Sequence, residues 1–495
     1  MVIPEINKMI PRPLLCTAVC AAAGFYFLSV QSFIFSITVL FLFLAVMCLF
    51  RVLSSVNPDN RGLRMSVICM TACAAGLMLG ICAAAAGKNE VQFSLVPEKI
   101  TAIEGVLLED PRIISGGKAL ASISLKKCAA NGGLKAGSKG EITVFFTQEN
   151  AGKLREFGRG TSVFAEGKLH LNSSSFSRQP QWSFSADSLH VVKSASAFER
   201  MRTGIRLELI KRFSGKNWGG LALAMLIGIR DNLDSNLTSV YRSAGLSYIL
   251  ALSGMHLAVL AALIAFLLKK PLGLHAASYA GAVIIVFYCL LVGPMPSLNR
   301  AALMYLLGTL AVLGALPKNS ISILALSFLI QIIAAPSSGN TISFILSYLA
   351  MAGILIITKA IVSLFSGKIP DFLLQPLAVS CGAFLATAGV CSYTFGSPAP
   401  AGIIAGLIVV PATTVFMIGS IIYLVLDFIS LSAFLDLPLS LLYKLMEKTA
   451  FIAGKAPLVS MPPSFILFLS VFLLLFIIIF NKRQSLQRQR LQPFS

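Results

Sequence analysis

The sequence predicts a membrane α-helical protein with about 10–11 transmembrane helices and one inserted OB-like β-barrel domain outside the cytoplasm. Three observations predict this. Apolar residues make up 56% of the chain and charged residues 12%, with a mean hydropathy of +0.84, whereas soluble domains carry about one-quarter charged residues. The apolar residues also fall in blocks of about 20, the length that crosses a bilayer as a helix. Between Ile100 and Val192 this pattern gives way to short alternating runs broken by Gly and Pro, the signature of strands and turns.

Residues 1–87 form the first membrane group, with apolar runs at Leu14–Val30, Phe33–Phe50 and Met65–Ala86. Lys8 and Arg12 precede the first run, but no small-residue cleavage site follows it, so it reads as a retained anchor and not a signal peptide. Nine of the ten cysteines lie in apolar runs and only Cys128 lies in the polar region, which leaves no disulfide framework. Lys8, Arg12, Arg51, Arg61 and Arg64 place the flanks of these helices in the cytoplasm by the positive-inside rule. The third helix then exits, and the Lys88–Arg212 region lies outside. Lys269, Lys270, Lys318, Lys359 and Lys368 fall on cytoplasmic loops if later spans alternate. The basic tail, 481–495, breaks the scheme, so either one span is miscounted or a segment near Leu439–Ala456 lies in the membrane plane.

The second unit, 98–193, contains five alternating runs: Thr101–Leu108, Ala119–Lys126, Glu141–Thr147, Thr161–Leu171 and Trp182–Val192. Five strands of this length are too short to make a two-sheet sandwich and predict an OB-type Greek-key barrel. From Lys88 to Arg212 there are 19 Lys and Arg against 12 Asp and Glu. OB barrels hold single-stranded nucleic acid with a basic groove and stacking aromatics. Phe145, Phe146, Phe164, Trp182 and Phe184 are the candidates for stacking, although alternate positions must also fill a barrel interior. A third unit, 198–216, places Phe198, Met201, Ile205 and Leu209 at helical spacing among Arg202, Arg206, Lys211 and Arg212. It reads as an amphipathic basic helix on the membrane surface that couples barrel to core.

The membrane core, 217–480, has runs at Thr238–Leu268, Leu272–Gly293, Leu298–Leu316, Ile321–Ala335, Thr341–Phe365, Leu373–Phe395, Ala399–Phe428 and Ser464–Phe480. Ionisable side chains inside such runs are costly and face a cavity or a partner. On one continuous helix Arg242, Ser253 and His256 fall within about 60° of one another. Arg300, near the start of another run, opposes the helix dipole and calls for a compensating partner, protein or ligand. Both arginines also suit snorkelling to headgroups, Ser253 suits a bond to a backbone carbonyl, and His256 suits a hydrogen bond between helices. A Ser-x-x-His pair allows a catalytic dyad, yet Asp231 and Asp234 lie at the far end of the segment and no carboxylate orients the histidine. Ser343 and Ser347, one turn apart, suit close helix packing. Pro398, Pro400, Gly402, Gly406 and Pro411 interrupt one run, as happens where a helix lines a cavity.

The stretch Ala244-Gly-Leu-Ser-Tyr-Ile-Leu-Ala-Leu-Ser-Gly-Met-His256 resembles the signature helix of the ComEC family, membrane channels for DNA uptake in natural competence. Pro296-Ser-Leu-Asn-Arg-Ala-Ala-Leu-Met304, Ser343-Phe-Ile-Leu-Ser-Tyr348 and the Pro400–Pro411 block, together with the order of parts, are similar too. The resemblance implies a multi-pass protein of the cytoplasmic membrane that passes single-stranded DNA inward. Arg242 and Arg300 would contact phosphates near the outer mouth, and Ser247, Ser253, His256 and Ser347 would line or shape the path. Besides single-stranded DNA and membrane lipid, the implied partners are a separate DNA receptor, a nuclease and a cytoplasmic ATPase motor. Three departures stand out. Tyr248 replaces a common His, Gly406 replaces a common Asn, and the metallo-β-lactamase-like nuclease domain of many members is not seen. The four histidines, His170, His190, His256 and His275, form no H-x-H-x-D-H cluster, so the expectation is no metal, no cofactor and no enzyme activity. The competing readings are a transporter of a smaller anionic solute and an intramembrane hydrolase using Ser253 and His256.

Overall fold

The computed structural model describes residues 12–28, 61–86, 91–114, 117–130, 135–172, 181–314, 319–395 and 399–456. The apolar runs Phe33–Phe50 and Ser464–Phe480 and the basic tail lie outside these residues. Helices α1 (Arg12–Leu28) and α2 (Arg61–Ala86) pack through small residues. A Cβ on Gly24 would lie 2.6 Å from the carbonyl oxygen of Leu77, so only glycine allows this approach.

The water-facing unit contains eight strands: β1 (Gln92–Phe93), β2 (Ile100–Leu107), β3 (Arg112–Ile113), β4 (Ala119–Ala130), β5 (Lys135–Lys139), β6 (Glu141–Phe146), β7 (Ser162–Asn172) and β8 (Gln181–Lys193). The five expected runs are the five long ones. A helix, α3 (Gln148–Arg155), follows β6, where alternation gave no hint of it. Strand β2 pairs antiparallel with β4 and β7, β4 also pairs with β6, β7 pairs with β8, and β8 runs parallel to β6. Each long strand thus has two long partners, and the pairing path returns to its start. Alternation decides what lies inside. Ile123, Ile142, Val144, Phe146, Val163, Ala165, Phe184 and Ala186 form the core. This corrects two of the stacking candidates: Phe146 (1% exposed) and Phe184 (0%) are core residues with no face free for a base.

The connecting helix α4 (Ala197–Phe213) starts at Ser196, whose hydroxyl accepts the Glu199 amide at 3.3 Å. It buries Arg202, Thr203 and Phe213, while Phe198 and Met201 stay exposed. The first half of the row read as apolar, Phe198 and Met201, therefore faces away from the protein beside the buried Arg202, and only Leu209 at its far end packs on the core. Arg202 bonds Asp110 of the loop after β2, Glu199 at 2.7 Å, and the Leu291 and Val292 carbonyls at 3.4 Å. At the other end Arg212 meets Asp427 at 2.7 Å and Lys216 meets Asp436 at 2.5 Å.

The core opens with α5 (Gly219–Ile227), a short helix the sequence reading did not separate, buried from Leu221 to Ile227 against Phe416 and Met417. After α6 (Ser235–Ser243) and α7 (Ser247–Leu250) comes α8 (Gly254–Val292), which breaks at Gly273 (φ 75°, ψ 173°) into Gly254–Gly273 and His275–Val292. The two arms fold back on each other, with Ile264 3.6 Å from where a Cβ on Gly281 would stand. Then follow α9 (Pro296–Leu313), α10 (Ser320–Ala334), α11 (Ile342–Phe365), α12 (Asp371–Phe395), α13 (Ala401–Asp427) and α14 (Ala433–Gly454). Among the described residues five helices are long and apolar enough to cross a membrane: the two arms of α8, α11, α12 and α13. Leu14–Tyr26, Thr71–Ala86 and Ser320–Ala334 are apolar but shorter. The protein is a multi-spanning membrane protein. The predicted span Thr238–Leu268 is not one helix, and α14 carries Asp436, Lys444, Glu447 and Lys448.

Candidate functional site

Two breaks divide the stretch that sequence periodicity reads as one helix. Helix α6 is capped by Asp234, whose carboxylate accepts the Asn236 amide at 2.9 Å, and ends before Gly245 at φ +72°. Only glycine takes that conformation without strain, and a Cβ there would press on the Ala399 carbonyl at 2.5 Å. A second break follows at Ala251 and Ser253, both extended, before α8 begins. The common stripe of Arg242, Ser253 and His256 therefore does not form, because two local stop signals override the apolar periodicity. Arg242 is exposed on α6, Ser247 is exposed on α7, Ser253 caps α8, and His256 is the third residue of α8.

His256 is 1% exposed. Its Nδ1 accepts the Ser253 backbone N–H at 3.0 Å and lies 3.2 Å from the Ser253 hydroxyl. Its Nε2 is buried and has no partner among the described residues. No carboxylate orients the ring among the described residues, so the elements of a hydrolytic triad are not assembled here.

The start of α9 is tied to the same place. Ser297 donates its hydroxyl to the Leu252 carbonyl at 2.8 Å. One turn on, Arg300 is 5% exposed and points toward the first turn of α8, with Nη2 3.0 Å from where a Cβ on Gly254 would be. Its Nη1 donates to the Ser347 carbonyl, and its guanidinium lies 5.9 Å from the Tyr348 ring centroid. Nε is buried without a partner among the described residues. No Asp or Glu of the described residues lies within ion-pair distance of Arg300. Around it the Tyr348 hydroxyl donates to Gln331 Oε1 at 2.9 Å, and the Gln331 amide donates to the Pro296 carbonyl at 3.2 Å.

Of the predicted path residues, the fold brings Ser253, His256, Arg300 and Ser347 to one place, Ser347 through its backbone and not its hydroxyl. Arg242 and Ser247 stay on the exposed approach. Tyr348 and Gln331 were missed. Gln331 is the one side-chain amide in the apolar run Ile321–Ala335, which was the available signal. Among the described residues no three His, Cys, Asp or Glu side chains group as a metal site.

A family model described as competence protein matches residues 225–484, just over half of the chain and all of this site. The chain belongs to the competence protein family. ComE operon protein 3 of Bacillus subtilis (strain 168) is 24% identical over 211 residues, which are 40% of this chain and 26% of that protein. The match thus spans about a quarter of that relative's length.

Tyr248 and Gly406 are neighbours: the Tyr248 hydroxyl lies 3.2 Å from where a Cβ on Gly406 would stand. In the β-sheet unit, Phe145 sits opposite Leu120 and Ser185, and Phe164 opposite Glu104 and His190, both half-buried on the outward side of the strands. Trp182 packs edge-on against Phe93 at 5.4 Å.

Proposed function

We propose that this competence-family protein is a membrane channel that imports single-stranded DNA across the cytoplasmic membrane during natural transformation. The observation that carries this reading is Arg300, a nearly buried cation in an apolar helical core with no carboxylate beside it among the described residues. A buried charge without a partner is expensive, and a passing phosphate is the partner that a DNA path supplies. Arg242 contacts phosphates on the approach, and Ser247, Ser253, His256 and the Ser347 backbone shape the passage.

The ring of pairings β2–β4–β6–β8–β7, the parallel β6–β8 step and the helix after β6 support an OB-type barrel. In this reading the barrel stands outside the cytoplasm and offers Phe145, Phe164 and Trp182 to DNA bases. A separate receptor, nuclease and ATPase motor deliver and pull the strand, and the chain itself carries out no chemistry. The test is transformation of a deletion strain complemented with Arg300→Ala, with labelled DNA followed outside and inside the membrane. The expected result is DNA held at the surface with import lost. Normal import by Arg300→Ala would remove the channel reading.

A further inference from the structure

The first turn of α8 gathers buried donors, two of which lack an acceptor among the described residues. His256 Nδ1 accepts the Ser253 N–H at 3.0 Å, and an accepting ring nitrogen carries no proton. The ring is therefore neutral, with its proton on Nε2, and that N–H is buried with no partner among the described residues. The Arg300 Nε–H is likewise buried without a partner among them, and its Nη2 is packed against Gly254. Gly254 opens a 20-residue helical arm, so the cation lies against the positive end of a helix dipole. Two like-signed groups pressed together in an apolar core lack their counter-charge. The Tyr348 and Gln331 side chains are neutral and already bonded to each other, and the Ser347 carbonyl satisfies only Nη1.

We propose that this turn is a discrete oxyanion site that holds one phosphodiester of the DNA strand between Arg300, His256 Nε2–H and the N-terminal end of α8. The identity of the occupant rests on the channel reading above. Its charge class rests on the site itself. The site holds one net cation, since His256 is neutral. It therefore matches the single charge of a phosphodiester and disfavours the second charge of a terminal phosphate monoester. The strand is gripped one internal linkage at a time. Nothing in the turn reads a base.

The experiment uses the full chain, purified and placed in zwitterionic lipid nanodiscs, with its histidines labelled with nitrogen-15 and the His256 signal assigned by His256→Asn. Without DNA the wild type should show His256 as the neutral tautomer protonated at Nε2. An oligothymidylate without terminal phosphate should move the Nε2 signal. Arg300→Gln should weaken that response about tenfold, the loss of one charge-assisted contact. Thymidine 5′-monophosphate at equal phosphate concentration should move it less. A proton on Nδ1 in the unliganded wild type would overturn the site without recourse to any variant. So would an equal response in Arg300→Gln, or a stronger one to the monophosphate. Saturation by phosphatidylglycerol nanodiscs, with no further change on adding DNA, would make a lipid headgroup the occupant and overturn the DNA assignment. Import that needs Arg300 while His256 Nε2 stays silent would leave the channel standing and this site refuted.

Discussion

Arg202 and Arg300 are both almost fully buried, at 2% and 5% exposure, and the chain treats them in opposite ways. Around Arg202 it supplies two carboxylates, Asp110 and Glu199, and two carbonyls at the end of α8. Arg206 joins the cluster, 3.1 Å from Asp110 and 3.3 Å from the Val292 carbonyl. Burial lowers the Arg206 pKa and the nearby Asp110 opposes that shift. Around Arg300 the described residues supply one carbonyl and an aromatic face. A saturated buried cation fastens parts of its own molecule together. An unsaturated one leaves its desolvation uncompensated by the residues around it, which is the feature the proposed phosphate contact would answer.

The comparison breaks most readily at Arg202. Removing one side of a buried charge network costs about 3–5 kcal/mol. Arg202→Ala should lower thermal stability by that much in detergent, and loss of less than about 1 kcal/mol would mean the cluster fastens little. Replacing Arg202 and Asp110 together with apolar residues should cost less than the two single changes added, and a double-mutant cycle on the unfolding free energy measures the difference.

Gly406→Asn should cost about 1–3 kcal/mol by overpacking against the Tyr248 hydroxyl. Tyr248→His in the same chain should restore most of it, in both melting temperature and transformation frequency. Failure of that rescue would show the two departures to be independent.

Arg300→Met is where the contrast sharpens. It should change stability by less than about 1 kcal/mol, or raise it, while abolishing import. A loss matching that of Arg202→Ala would make both arginines fasteners.

The smallest effect concerns pH. The Asp436 hydrogen bond holds the Lys216 pKa above its ordinary 10.5. Its contribution is therefore full below pH 10.5 and is lost as pH climbs past the raised value. Thermal melts of Asp436→Asn and the parent should converge in that alkaline window and differ below it.

Local signals carried much of this architecture. The long strands were legible because alternation is written in neighbouring residues, and Arg300 was legible because an arginine in an apolar run stands out. The division between stacking and core aromatics was not, since Phe145 and Phe146 differ only in which side of β6 they take, and pairing with β4 and β8 decides that. The breaks at Gly245 and Ser253 were hidden because each is one residue inside an apolar stretch. The buried face of α4 was misjudged for the same reason at longer range. The partner that draws Arg202 inward is Asp110, far away in sequence, and a helical pattern of Phe198, Met201 and Ile205 carries no trace of it.

The fold-back of α8 at Gly273 gives the Arg202 cluster a second consequence. Because the arms lie against each other, Gly254 and Val292 stand at the same end of one hairpin. Arg202 and Arg206 grip the carbonyls at Val292, while Ser253 and His256 form the tip at Gly254. The β-sheet unit, held through Asp110, is therefore anchored at the very end of the hairpin that carries the polar cluster, so the two share one attachment point instead of lying at opposite ends of a helix.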